Sequence, residues 1–256
     1  MSTAELNSRR VLRDPPWLAY DCYVFDIDGT LLNSRDLVHY RAFQTALRDV
    51  YGCTRDVSEV PVHGNTDIGI LRATVRLCCI DDQTFEERLH EALAAMRRSA
   101  HANTIDFRLE ICPAIPKLLE TLRQRGKLLG VATGNLADIG WPKLASAQLK
   151  HYFNFGSFSD LAPSDSPYPT TASITRRGSV YEQRSEIFAN AVREARRLLG
   201  PQARVCFVGD TPIDISAAKA NDCPIIAVAT GIYSFEQLSK LEPDFCVPCC
   251  ADLFTA

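Results

Sequence analysis

From Cys112 onward the chain alternates short apolar runs with amphipathic stretches, and few folds accept that rhythm. A helix is expected from about Ile115 to Gln124, a strand at Lys127–Thr133, and a helix at Asp138–Leu149 that reaches the segment HYFNFGSF. Further on, RSEIFANAVREARRLLG places its apolar residues on one helical face and stops at Gly200. It feeds the run Arg204–Asp210, a short helix, the run Pro224–Thr230, another helix and DFCVPC. These runs are nearly continuous in apolar residues, so both of their faces should be buried, as in a parallel sheet covered by helices. One more run of this kind, CYVFDID at Cys22–Asp28, stands far upstream. Residues 36–99 separate it from the rest, and there the spacing is helical. Leu37, Tyr40, Phe43, Leu47 and Val50 recur in this way, then Ile68, Leu71, Val75 and Cys78, then Phe85, Leu89, Leu93 and Met96. Gly52 and Gly64 break the block.

The pattern predicts an α/β fold: a Rossmann-like parallel sheet core with helices on both faces and an inserted small α-helical cap. The expected division is an N-terminal arm at 1–19, a core at 20–34 and 112–256, and a cap at 35–111. One stretch interrupts the rhythm, the Pro/Ser/Thr-rich segment at 162–180, and it reads as a mobile surface insertion.

Composition narrows the function classes. The chain has 256 residues, 46% of them hydrophobic and 23% charged, enough for a substantial core. A net charge of −3 gives no reason to expect nucleic acid or an anionic membrane as partner. The opening MSTAELNSRRVLRDPPWLAY has no apolar run of signal-peptide length, so a cytoplasmic setting with reduced thiols is expected for the ten cysteines. CVPCC at Cys246–Cys250 has zinc-like spacing but no second pair, and reads as small buried residues of a late strand.

Three runs end in polar residues of a telling kind. The first ends in Asp26-Ile27-Asp28-Gly29-Thr30, the second in Thr133-Gly134-Asn135, and the third in Gly209-Asp210 followed by Asp214. In an open parallel sheet the carboxyl ends of the strands form the ligand crevice, so these sets can converge. Four carboxylates at one sheet edge repel one another when nothing lies between them. A divalent cation relieves this, and an oxygen-rich donor set suits Mg²⁺.

With these motifs in this order, the sequence resembles the haloacid dehalogenase superfamily, in particular its phosphoglycolate-phosphatase-like branch with a helical cap. The resemblance runs from about Tyr20 to the C-terminus and includes AAKANDCPIIAVATGIYSFEQL. It implies a Mg²⁺-dependent phosphomonoester hydrolase acting on a small phosphorylated metabolite, phosphoglycolate-like, through an aspartyl-phosphate. Asp26 would be the nucleophile. Asp28 would be the general acid and base, with its backbone carbonyl on the metal. Thr133, Gly134 and Asn135 would hold the phosphate, and Asp210 and Asp214 would hold the metal with Asp26 and Asp28. The family's third motif is normally a lysine, and no lysine lies between Lys150 and Lys219. Arg184 is the candidate replacement, with Arg176 and Arg177 as rivals and a solvated helix-start arginine as the plain alternative. In the cap, His63, Asn65 and Thr66 sit where relatives place a substrate-sensing loop, although Thr66 or Asn65 could equally cap the helix that follows. His39, His90, His101 and His151 read as ordinary.

The resemblance also excludes. Dehalogenases of the family lack the second aspartate, and phosphonate hydrolysis needs a cap lysine, whereas residues 31–111 contain none. A phosphosugar mutase of the same family, or a catalytically weak relative that binds a metabolite or a partner, remains as an alternative. The identity of the substrate and the oligomeric state are not legible.

Overall fold

The computed structural model describes residues 15–160 and 182–255; the insertion read at 162–180 and most of the arm lie outside them. The core sheet is made of β1 (Cys22–Phe25), β4 (Leu128–Ala132), β5 (Phe155–Ser157), β6 (Val205–Gly209), β7 (Ile225–Val228) and β8 (Phe245–Val247). Its order is β5-β4-β1-β6-β7-β8, and every pairing is parallel. Successive residues of a strand point to opposite faces, and the packing follows that alternation. Tyr23 and Phe25 join Leu129, Val131, Cys206 and Val208 on one face, against α4 (Ile115–Gln124). Cys22 and Val24 join Val205, Phe207 and Ile225 on the other, against α6 (Arg184–Leu199) and α7 (Pro212–Lys219). Burying one side chain such as Phe25 stabilises the fold by about 1.5–3 kcal/mol. A last helix, α8 (Phe235–Ser239), is capped by Ser234.

The arm expected at 1–19 already packs on the core at Trp17. Trp17 and Leu18 are buried, the Trp17 indole donates to the Leu253 carbonyl at 2.9 Å, and Tyr23 Oη donates to the Trp17 carbonyl at 2.6 Å. Pro15 is extended, Pro16 opens a short 3-10 helix over Pro16–Leu18, and the tryptophan on it covers the edge of the core cluster.

Between β2 (Leu32–Ser34) and β3 (Leu109–Ile111) the chain leaves the core and forms α1 (Val38–Tyr51), α2 (Asp67–Leu77) and α3 (Asp82–Ala102). β2 and β3 pair antiparallel as a neck, a feature too short to stand out in the sequence. Phe43, Leu47, Ile68, Leu71, Val75, Phe85, Leu93 and Met96 build a separate apolar cluster. Leu37 and Tyr40, counted into the same stripe, turn outward instead, at 55% and 36% exposure. The N-cap of α1 falls at Leu37, so the stripe begins one residue later, at Val38. Gly52 ends α1 in the left-handed conformation, φ 64°, where a Cβ would be strained. Helix α5 (Ala137–Ser146) belongs to the core by sequence, yet its Leu136 and Ile139 end pack into the cap cluster. The cap is thus docked on the turn that follows β4.

One cysteine expectation changes. Cys53 and Cys78 form a disulfide between the ends of α1 and α2, against the expectation of wholly reduced thiols. Their separation of 25 residues carries no recognisable motif, and only the packing of α1 beside α2 brings them together. Cys246, Cys249 and Cys250 remain free, the last of them buried.

Candidate active site

Strand register assembles the site. Phe25 pairs with Val131 on one side and Val208 on the other, so the three polar strand ends emerge side by side. Beyond β1 the chain turns at Gly29, φ 87°, and a Cβ there would lie 2.2 Å from Asp210 Oδ2. Gly231, after β7, faces the same carboxylate, and a Cβ on it would come within 1.9 Å. Both glycines are required by this close approach.

At one end of the cleft stand Asp26, Asp210 and Asp214, all buried, with one carboxylate oxygen of each within 4.8 Å of the others. Among the described residues this is the one group with metal-ligand geometry. Asp210 accepts from Thr30 Oγ1 at 2.9 Å. Asp214 sits at the third position of α7 and accepts from the Thr211 hydroxyl at 2.7 Å and amide at 3.1 Å, a capping box. Arg184 opens α6 and turns inward: its Nη2 pairs with Asp26 Oδ1 at 2.6 Å, and its Nε donates to Asp214 Oδ1 at 2.9 Å. With its side chain 3% exposed, it is no solvated helix-start arginine. Arg176 and Arg177, its rivals in the sequence, lie outside the described residues.

One guanidinium does not balance three carboxylates. Burial, and then the neighbouring Asp214, push the Asp26 carboxyl up to about 6 despite Arg184. Burial, followed by Asp214 and Asp26, pushes Asp210 well above the usual carboxylate range. Such a surplus of buried negative charge, offered entirely by oxygen atoms, fits a hard divalent cation.

The other end of the cleft is built differently. Asp28 keeps 37% of its side chain open, and it meets a residue that the sequence reading passed over. Lys143, on α5, is 1% exposed and places Nζ 2.8 and 2.7 Å from the two Asp28 oxygens, and 2.9 Å from Asn135 Oδ1. Asn135 Nδ2 donates to Asp28 Oδ2 at 2.9 Å and to Thr133 Oγ1 at 3.0 Å. Burial pushes the Asp28 carboxyl up, but Lys143, then His39 when it is charged, with the Lys143 and Asn135 hydrogen bonds in support, outweigh it and hold the group below the usual range. A signal for Lys143 did exist in the sequence. It falls on the stripe Leu136, Ile139, Gly140, Leu144, where an unpaired lysine would be out of place.

The cleft between these ends has a volume of about 260 Å³. Asp26, Asp28, Thr133, Gly134, Asn135, Arg184 and Asp210 all line it, together with the cap residues His63 and Asn65. Asn65 donates its side-chain amide to the Pro61 carbonyl at 2.9 Å. Thr66 is placed elsewhere: its hydroxyl accepts from the Gly69 amide as the cap of α2 and donates to the Glu182 carbonyl at 2.9 Å. Its proton and one of its lone pairs are thus committed away from the cleft, which favours the capping alternative. Gly134 is fixed by the cap loop, since a Cβ there would lie 2.2 Å from the Asn65 carbonyl oxygen. His39, read as ordinary, lies in this cleft as well.

The model of haloacid dehalogenase-like hydrolases matches residues 20–222, which spans all three strand ends. The chain belongs to that family. Among its relatives is the phosphoglycolate phosphatase of Aliivibrio fischeri, 28% identical over 224 residues, covering 86% of this chain and 88% of the relative. Another is the phosphoglycolate phosphatase of Pasteurella multocida, 24% identical, covering 86% and 91%. In fold the chain is similar to CbbY from Rhodobacter sphaeroides in complex with phosphate, with a TM-score of 0.62 and 16% identity over 91% of this chain and 96% of that one. A haloacid dehalogenase-like hydrolase with phosphatase relatives is an enzyme of the phosphatase type, and the six-stranded parallel sheet covered by helices is a fold that the chain shares with its solved neighbours. Among the described residues no helix is long and apolar enough to cross a membrane.

Proposed function

We propose that this enzyme hydrolyses a small phosphomonoester, phosphoglycolate or a compound like it, through an aspartyl-phosphate on Asp26. The observation that carries the reading is the placing of two aspartates two residues apart in opposite settings. Asp26 sits inside the carboxylate group beside Arg184, and Asp28 opens to the cleft beside Lys143. Mg²⁺ would be held by Asp26, Asp210 and the Asp28 backbone carbonyl, with Asp214 directly or through water. When bound it neutralises charge between the nucleophile and an incoming phosphate.

The chain's own groups account for the rest. Arg184 keeps Asp26 in place and offers a guanidinium beside it. Asp26 attacks phosphorus, the bond to the leaving oxygen breaks, and Asp28 supplies the proton that this oxygen needs. Water then attacks the aspartyl-phosphate, Asp28 takes its proton, and phosphate leaves with Asp26 restored. With the cleft empty Asp28 is held ionised, the state suited to the second step; a dianionic phosphate arriving beside it favours the protonated state needed in the first. Thr133 and the Asn135 amide line the cleft where phosphate oxygens would be held, and a cleft of about 260 Å³ suits a small leaving group.

The test is phosphate release from a panel of phosphomonoesters, phosphoglycolate and sugar phosphates included, with and without Mg²⁺. Metal-dependent release that disappears in Asp26→Asn, with phosphoglycolate ranked high, is the expected result. Transfer of phosphate between sugar positions without net release would instead favour the mutase alternative. A folded protein that releases nothing across the panel would favour a binding role.

A further inference from the structure

His39 stands on the first cap helix; one of its ring nitrogens meets a lysine of the core, and the other meets a cap carboxylate that is itself tied to the core. Nδ1 lies 3.2 Å from Lys143 Nζ, and Nε2 lies 3.0 Å from Asp67 Oδ2. An ammonium only donates, so Nδ1 must accept, and the neutral ring then carries its proton on Nε2 and gives it to Asp67. Asp67 is itself fixed to the core. Its Oδ2 also accepts from the Leu136 amide at 2.9 Å, and its own amide donates to the Gly134 carbonyl at 2.8 Å. Phe43 stacks on the ring with centroids 5.0 Å apart. The tautomer and the orientation of His39 are therefore set by cap and core together.

Lys143 Nζ has three hydrogens, and its acceptors are the two Asp28 oxygens, Asn135 Oδ1 and His39 Nδ1. The first three belong to the core; the histidine is the one acceptor that the cap supplies among the described residues. Without it, a buried ammonium depends entirely on Asp28 and Asn135, and nothing from the cap limits where it sits.

We propose that His39 is a positioning residue for proton transfer. It fixes Lys143, and Lys143 in turn holds the Asp28 carboxylate where it exchanges a proton with the leaving oxygen, so the docked cap completes the acid–base group. This rests on the reading of Asp28 as acid and base given above. His39 has 20% of its side chain exposed and lines the cleft, so direct contact with the substrate is the rival role.

Leaving groups separate the two. In the full-length protein with Mg²⁺, kcat/KM is measured for glycerol 2-phosphate, whose alkoxide must be protonated, and for p-nitrophenyl phosphate, whose phenolate need not be. His39→Phe should lower the first by about 10- to 100-fold, a fraction of the range for general acid catalysis, and leave the second nearly unchanged. His39→Asn, which can present an acceptor near the Nδ1 position, should recover most of the loss. Combined with Lys143→Met, His39→Phe should add nothing to the effect of Lys143→Met alone. Equal losses on the two esters, multiplied losses in the double variant, or no loss in His39→Phe each overturn the proposal. Should Lys143→Met fail to fold, the comparison of His39→Phe with His39→Asn still decides. Asp28→Asn tells which reading failed. If it keeps its activity on glycerol 2-phosphate, the acid–base reading of Asp28 falls and this proposal with it. If it loses that activity while His39→Phe behaves as wild type, only the role of His39 falls.

Discussion

The two ends of the cleft hold their carboxylates by opposite means. At the end with Asp26, Asp210 and Asp214 the groups are buried, come from the core alone, and outnumber their single guanidinium. Burial and mutual repulsion push Asp26 and Asp210 up. At the end with Asp28 the carboxylate is partly open, pairs with a buried lysine, and is held down. The first end carries more negative charge than its guanidinium balances, a setting that fits a cation from outside. The second is balanced by the chain itself, with the cap contributing through His39 and Asp67. On the proposed mechanism, a nucleophile that approaches a phosphate dianion and a carboxyl that trades protons call for these different settings.

The largest effect should come from exchanging the carboxylates for amides. Asp26→Asn should lower turnover on the order of 10⁴-fold or more on any ester, since it removes the attacking group. Asp28→Asn should lower it by about 10²–10⁴-fold, and least for aryl esters. Steady-state rates on matched alkyl and aryl esters check both, and equal sensitivity of the two variants to the leaving group would erase the difference between the ends.

Next in size is the loss of Arg184. Arg184→Met leaves Asp26 and Asp214 buried without their cation and should destabilise the metal-free protein by about 3–5 kcal/mol. Denaturant unfolding should show that loss, and saturating Mg²⁺ should return part of it. An unchanged midpoint would mean that the carboxylates are neutral together in the free protein.

The cap has a weak point of its own. Reducing Cys53–Cys78, or replacing both residues with serine, should destabilise by about 2–4 kcal/mol, the range expected when a loop of this order is released. Thermal unfolding with and without reductant measures it. If the loss appears in the cap alone, by hydrogen exchange of α1 and α2, the two regions unfold separately.

The smallest effect is one of pH. The Asp26 carboxyl titrates higher folded than unfolded, so its contribution to stability is present at low pH and lost as pH rises through about 6. In chelator, the gain in stability of Asp26→Asn over wild type should therefore grow from about pH 4 to about pH 6, by on the order of 1–3 kcal/mol. A flat difference would place Asp26 with Asp28, as a carboxylate already balanced by the chain.

The split between the ends is also a split in what could be read in advance. Asp26, Asp28, Thr133, Asp210 and Asp214 were legible because each follows a run of strand residues, and a parallel sheet must bring such ends together. Arg184 was legible as the first residue of a strongly amphipathic helix. His39 was not, since it does not stand at a strand end and its helical neighbours explain it away, and Lys143 showed only as a lysine on the buried stripe of α5, with nothing in the sequence to name its partner. The neck of β2 and β3 was too short to read, and the buried Trp17 was hidden behind two prolines.

Sequence alone determined the period of each element, the alternation that buries the sheet on both faces, and the chemistry at three strand ends. These depend on residues within a few positions of one another, where pattern and propensity act. The tertiary structure alone decided that α5 carries its lysine to Asp28, 115 residues away, and that the cap sets a histidine against it across 104. Such contacts depend on how whole elements dock, and that is settled by the summed packing of two apolar clusters and not by any local run of residues.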